Sequence, residues 1–370
     1  MKENYLKYAK QILEIIGTPY NEPVLKTTNL DFMKLYNHAY KNKIELLFLK
    51  SLEKNGLLND LAKELKIQNK RKELQQNTWK RTVDVLNQID CKYAIIKSIF
   101  PFDAVPNDVD VIILGNKKEY RKSIEHLQNN DFKLLEEASL EANLIDNTIP
   151  SIEDYYPVNE IDLSYNIGNK TIKIKNYYPV NEIDVYKEIG ASKLIYMNKE
   201  KLYKYSEKIK IGNKIVPSFK PHAEMAISMF HTIYPERIYT LLIHLLILNT
   251  VKKMKSKDYD EFLEICNEQK IKKGISLVLS VTEKIQEEFF GEIPKDIKEL
   301  HSLVGKRKQI DLKQVPYVYS MSSVITALTE KLRERKFLRS SFNQFVYMFN
   351  PNVAKFIIKE NRVRATRDTY

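Results

Sequence analysis

Apolar residues recur at helical spacing through the first 90 positions: Tyr5, Tyr8, Ile12, Ile15 and Ile16, then Leu30, Met33 and Leu35, then Leu46, Leu47, Leu49 and Leu52. The spacing predicts a helical N-terminal region, residues 1–90, with Pro19 and Pro23 separating its first two helices. Lys66 to Arg81 (KIQNKRKELQQNTWKR) reads as a polar, basic helix carrying the only tryptophan, Trp79. Its polar side is expected to be a solvated face ahead of a nucleic-acid contact.

The pattern changes at Cys91. Tyr93–Ile96 and Val109–Leu114 are β-prone runs joined by a proline-containing loop, Lys117–Asn129 is amphipathic, and Phe132–Leu135 and Ala142–Ile145 are further strand candidates. Strand, loop, strand, helix and more strands predict a small mixed sheet in residues 91–216. Within it YYPVNEIDLSYNIGNKTIKIKN, Tyr155–Asn176, is followed directly by YYPVNEIDVYKEIGASKLIYMN, Tyr177–Asn198, and the first eight residues of the two are identical. Two copies are too few for a solenoid. Each is expected to supply one strand ending in Glu-Ile-Asp, with Asp162 in the first and Asp184 in the second. After Pro217 the helical period returns and persists, predicting an all-helical domain over 217–370. The expected class is therefore α+β, in three units.

Composition narrows what such a fold does. A chain of 370 residues with 60 Lys and Arg against 48 Asp and Glu has a formal charge of +12 and a pI near 9.2. That balance favours a polyanionic partner, because basic side chains release counterions from a phosphate backbone, although a lysine-rich solvated surface gives the same balance. The stretch from Glu330 onward interleaves basic and aromatic residues; its aromatics suit a helix face, and Arg362, Arg364 and Arg367 are the nucleic-acid candidates. Cys91 and Cys266 form no CxxC, the six histidines contain no HExxH, and the nine glycines form neither a P-loop nor GxGxxG. Ile238–Val251 falls short of the roughly 20 apolar residues of a membrane span, and the first residues carry no secretory signal. A cytoplasmic protein with no membrane partner is expected.

The chemistry concentrates in IIKSIFPFDAVPNDVDVIIL, Ile95–Leu114. Side chains alternate along a strand, so Asp108 and Asp110 share one side while Val109 and Val111 take the other. Two like charges side by side call for a cation, and hard carboxylate oxygens suit Mg²⁺ or Mn²⁺; an exposed Asp-Val-Asp serving solubility is the plainer alternative. Ahead of the pair, Lys97 and Ser98 form a turn that can offer N–H groups and a hydroxyl to a triphosphate.

This order of turn, spacer, Asp-x-Asp and later strand aspartates resembles the polymerase β-like nucleotidyltransferase superfamily, over about Tyr93 to Val185. The resemblance implies a two-metal site with Asp108 and Asp110 as ligands, a third carboxylate that shares one metal and helps activate the attacking hydroxyl, and Ser98 on the nucleotide phosphates. Lys97 stands where that family has glycine, so backbone approach to phosphate is altered and an ammonium is offered instead. Asp184 is preferred as the third carboxylate and Asp162 is the alternative, with Glu160 and Glu182 on the same sides as their aspartates. His231, Tyr234, Arg237 and Tyr239 are candidates to line a nucleotide cleft. The implied activity is template-independent transfer of NMP from an NTP or dNTP to a hydroxyl, at the 3′ end of tRNA or single-stranded DNA. A protein or small-molecule target, and a catalytically silent nucleic-acid binder of the same fold, remain as alternatives.

Overall fold

The computed structural model describes residues 5–24, 30–106, 108–156, 180–191 and 193–348, with side chains to 346, and the backbone of 163–167 and 170–174. Helices α1 (Tyr5–Ile16), α2 (Phe32–Lys41), α3 (Glu45–Lys54) and α4 (Ala62–Leu86) fill the N-terminal region, as its apolar spacing requires. α1 buries Ala9, Ile12, Leu13 and Ile15, and α2 opens at Asp31, whose side chain accepts the Lys34 N–H at 3.0 Å.

α4 corrects the expectation of a solvated basic helix. Between Lys66 and Arg81 only Lys66, Asn69 and Glu73 are exposed, while Gln68, Arg71, Gln75, Thr78 and Trp79 are buried. Local bonds offset the desolvation of several of these polar groups. Gln75 donates to the carbonyls of Pro106 and Asp108 at 3.1 and 3.3 Å, Thr78 donates to the carbonyl of Val180 at 3.1 Å, and Arg71 lies 3.5 Å from Glu45.

Strands β1 (Tyr93–Ile96) and β2 (Val109–Ile113), helix α5 (Lys117–Gln128), and strands β3 (Phe132–Glu137) and β4 (Glu141–Asp146) follow, then β5 (Leu163–Ile167), β6 (Lys170–Ile174) and β7 (Glu182–Tyr186). Five of them form one sheet in the order β1-β2-β7-β4-β3, with β7 parallel to β2 and every other pairing antiparallel. On one face Val109, Val111, Ile183, Val185, Ala142 and Leu144 pack under Trp79 and Val83 of α4 and Tyr120, Ile124 and Leu127 of α5. The alternate residues face the other way, where Ile112 and Tyr186 join a core shared with the N-terminal and C-terminal helices.

The second repeat copy corrects the expectation of a strand ending in Glu-Ile-Asp, and the Glu-Ile-Asp of the first copy lies outside the described residues. In the second copy Glu-Ile-Asp opens β7, which is bonded to β2 on one edge and β4 on the other. That slot admits one strand. The first copy pairs within itself, β5 against β6, with Leu163 opposite Ile174; Asp162 lies outside the described residues.

A hairpin β8 (Ile189–Ala191) and β9 (Leu194–Met197), the short α6 (Lys199–Leu202), and a second hairpin β10 (Ser206–Ile211) and β11 (Lys214–Phe219) lead to α7 (Pro221–Ile233), which begins on its proline. Then come β12 (Ile238–Tyr239), α8 (Leu241–Val251), α9 (Ser256–Gln269), α10 (Lys272–Phe290), α11 (Lys295–Val304), β13 (Tyr317–Val318), α12 (Met321–Thr329) and α13 (Arg335–Met348). From α7 to Met348 the described residues of the C-terminal region form helices joined by loops, with β12 and β13 as the one strand pair. The apolar run at 238–251 is a core helix preceded by that short strand, and among the described residues no helix is long and apolar enough to cross a membrane.

Buried His244 on α8 ties this region together. Its Nδ1 lies 3.0 Å from the Tyr239 hydroxyl, its Nε2 is 2.9 Å from the Gln286 amide, and Tyr239 reaches the Thr282 hydroxyl at 2.7 Å. Burial pushes its imidazole down from 6.5 to about 3. A folded-state pKa below the unfolded one stabilises fully above the unfolded value and is lost as pH falls toward the folded value. Between pH 8 and pH 5 this residue accordingly costs the fold about 2 kcal/mol. His244→Gln should shrink the difference between urea-unfolding free energies at those two pH values by that amount; an unchanged difference would count against a neutral buried ring.

Candidate active site

Register decides which carboxylates meet. β2 and β7 run parallel with Asp110 directly opposite Asp184. Asp108 lies in the bend just before β2, near enough for its charge to act on Asp110 and Asp184, and on the far edge of β7 Asn143 of β4 stands opposite Asp184. Of the sequence candidates, the structure therefore brings Asp110 and Asp184 side by side on one sheet face, the face turned toward the C-terminal helices, with Asp108 beside them.

The turn after β1 is fastened to this face. Lys97 has φ of 50°, in the left-handed region where a side chain is costly and glycine is at ease. Its N–H donates to the Glu224 carboxylate on α7. The buried Ser98 hydroxyl donates to the Ile96 carbonyl at 2.8 Å and accepts the Asp110 N–H at 2.9 Å. Ser98 is thereby the brace that sets Asp110 against the turn. The Lys97 ammonium lies 3.2 Å from Asp110 Oδ2 and 5.1 Å from the Tyr186 ring centroid.

Asp110 is only 5% exposed, and Asp184 is half-buried with both oxygens engaged: Oδ1 accepts from Asn143 at 2.8 Å and Oδ2 from the Tyr186 hydroxyl at 3.4 Å. Asn143 also donates to Glu182. Burial, and then the charges of Asp110, Glu141 and Glu182, push Asp184 up to about 7. Burial and the charges of Asp110 and Asp184 push Asp108 well above the usual carboxylate range, and burial takes Glu224 to about 7. For Lys97 burial works against the charge, but Asp110, Tyr196 and Asp108 outweigh it and raise the ammonium. These shifts have one physical origin: several acids crowd a poorly hydrated face around a single close cation.

Beside this cluster the Tyr196 hydroxyl of β9 lies 2.7 Å from His231 Nδ1 on α7, and His231 Nε2 is 3.5 Å from Glu236. Burial lowers His231, and hydrogen bonding to that imidazole together with Lys43 keeps Glu236 ionised against its burial. Arg237 follows at φ of 60°, with its Nε buried and without a hydrogen-bond partner. No hydrogen bond or ion pair joins it to the three aspartates. Arg362, Arg364 and Arg367 lie outside the described residues.

Three neighbouring carboxylates match Mg²⁺ or Mn²⁺ in donor type and charge. Among the described residues, however, no three His, Cys, Asp or Glu side chains converge closely enough as placed to hold an ion. The cation in contact with Asp110 is Lys97. Sequence reasoning missed Tyr186, which the two-residue alternation after Asp184 would have put on this face. It also missed Asn143 and Glu224, which have no local signal because strand register and helix docking bring them in.

The chain matches no family model, no curated protein and no solved structure.

Proposed function

We propose that the protein is a metal-dependent, template-independent nucleotidyltransferase of the polymerase β-like kind, moving NMP from an NTP or dNTP to a hydroxyl. The observation that carries this reading is the parallel register of Asp110 with Asp184, with Asp108 beside them. Asp108, Asp110 and Asp184 would hold a pair of Mg²⁺ or Mn²⁺ ions once their carboxylates draw together, and the ions would supply charge stabilisation for in-line displacement and lower the acceptor hydroxyl's pKa.

The chain's own groups then have separable tasks. Asn143 and Tyr186 fix the two oxygens of Asp184, which sets this carboxylate in place to take the proton of the acceptor hydroxyl. As that oxygen bonds to the α-phosphorus, the bond to the β-phosphate bridging oxygen breaks and pyrophosphate leaves. Ser98 keeps Asp110 in place through its backbone. The +12 charge supports a nucleic-acid 3′ end, of tRNA or single-stranded DNA, as acceptor. Free Cys91 and Cys266 suit a cytoplasmic setting, where such substrates are found.

Incubation with each α-labelled NTP and dNTP, Mg²⁺ or Mn²⁺, and tRNA or single-stranded DNA tests this, beside the Asp108→Ala, Asp110→Ala double variant. Label in nucleic acid with the native chain alone is the expected result. Label in protein would move the acceptor, and tight nucleic-acid binding with no label in any acceptor would overturn the transferase in favour of a silent binder.

A further inference from the structure

We infer that Lys97 is a built-in counter-ion, which a divalent cation must displace from Asp110 before it can occupy the carboxylate face. The inference deepens the nucleotidyltransferase reading and rests on it.

Three observations converge. The ammonium lies 3.2 Å from Asp110 Oδ2, on a side chain only 13% exposed, so it meets this carboxylate in a poorly hydrated place where a charge pair is strong. A metal ion binds a carboxylate oxygen at roughly 2 Å, so an ion on Asp110 and an ammonium on the same group would stand within a few Å of each other and repel. The three aspartates do not converge on a point as placed. A monovalent donor that touches one carboxylate from the side neutralises the face without gathering it.

The backbone anchors the turn that carries the lysine. Its left-handed conformation disfavours any residue with a Cβ, and the contacts of its N–H with Glu224 and of its neighbour Ser98 with Asp110 fix the turn regardless of the side chain. The side chain is therefore free to exchange partners while its tether stays put. Being tethered, it competes at a fixed high local concentration. On displacement the ammonium remains at the rim of the same face, next to the Tyr186 ring, available to an incoming anion.

Calorimetric titration of Mn²⁺ into the full-length native chain and into Lys97→Gly, Lys97→Met, Lys97→Arg and Asp110→Asn tests the exchange without any turnover. Glycine accepts the backbone angle and removes the charge; methionine removes the charge but keeps a stem over Tyr186, should the glycine variant fail to fold. Both neutral variants should bind Mn²⁺ at least about tenfold more tightly than the native chain, while Lys97→Arg stays near native. Mn²⁺ should also raise the melting temperature of the neutral variants more than that of the native chain. Equal Mn²⁺ affinity in native and neutral variants, with binding lost in Asp110→Asn, would overturn the counter-ion and leave the metal site standing. An absence of Mn²⁺ binding in every chain would overturn the metal site, and the exchange with it.

Discussion

Asp110→Asn is expected to lower label incorporation in the assay of the proposed nucleotidyl transfer by roughly a thousandfold or more while the chain stays folded, as followed by labelled product and far-ultraviolet dichroism. No other position combines so many roles: Asp110 is opposite Asp184 across the parallel pair, two residues from Asp108, and in contact with Lys97. Asparagine keeps the size and the backbone N–H that Ser98 accepts, so the turn after β1 is retained. Removing the charge takes away Lys97's partner but also relieves repulsion on the other two aspartates, and these effects on stability oppose each other. Glu182→Gln is the control: the residue shares Asn143 with Asp184 but is set one alternation further from Asp110, and should retain activity within about tenfold of native. More than a tenth of native activity in Asp110→Asn would remove this residue from the reaction.

Trp79→Ala should destabilise the fold by about 3–5 kcal/mol, the range found when a large buried aromatic leaves a cavity. Trp79 is 3% exposed and packs in the cluster that holds Val109, Val111, Ile183 and Val185. Those four are the inward alternates of the residues that present the aspartates, so a void beneath them loosens both strands of the candidate site from behind. Urea unfolding followed by dichroism measures the loss, since the variant has no tryptophan fluorescence. Lys66→Ala, on the exposed side of the same helix, should change stability by no more than about 0.5 kcal/mol. Similar values for the two variants would mean that α4 does not seat the sheet through Trp79.

Much of this architecture was legible in residue order. Helical spacing marked both helical regions, and the alternation in Val-Asp-Val placed Asp110 on one face and its neighbours in the core. Composition misled at α4, because its polar side chains bond to nearby loops instead of water: Gln75 closes on the carbonyls of Pro106 and Asp108, and Thr78 on that of Val180. The repeat misled for a different reason. The two copies share their first eight residues and diverge after the aspartate, and that shared start does not say which of them pairs with β2. Asn143 and Glu224 reach the aspartate face through β4 register and α7 docking, long-range facts that no local pattern encodes.

The parallel pairing of β2 with β7 also sets when the site comes into being. Asp110 and Asp184 are 74 residues apart in sequence, with α5, β3, β4, β5 and β6 in between, and the carboxylate that anchors the Lys97 turn arrives later still, on α7. A nascent chain leaving the ribosome carries Asp108 and Asp110 early, yet lacks their neighbour until translation has passed Asp184 and that anchor until it has passed Glu224. Such distant closures are the slow part of folding. Chains truncated before Asp184 therefore hold pieces of the aspartate face without the site.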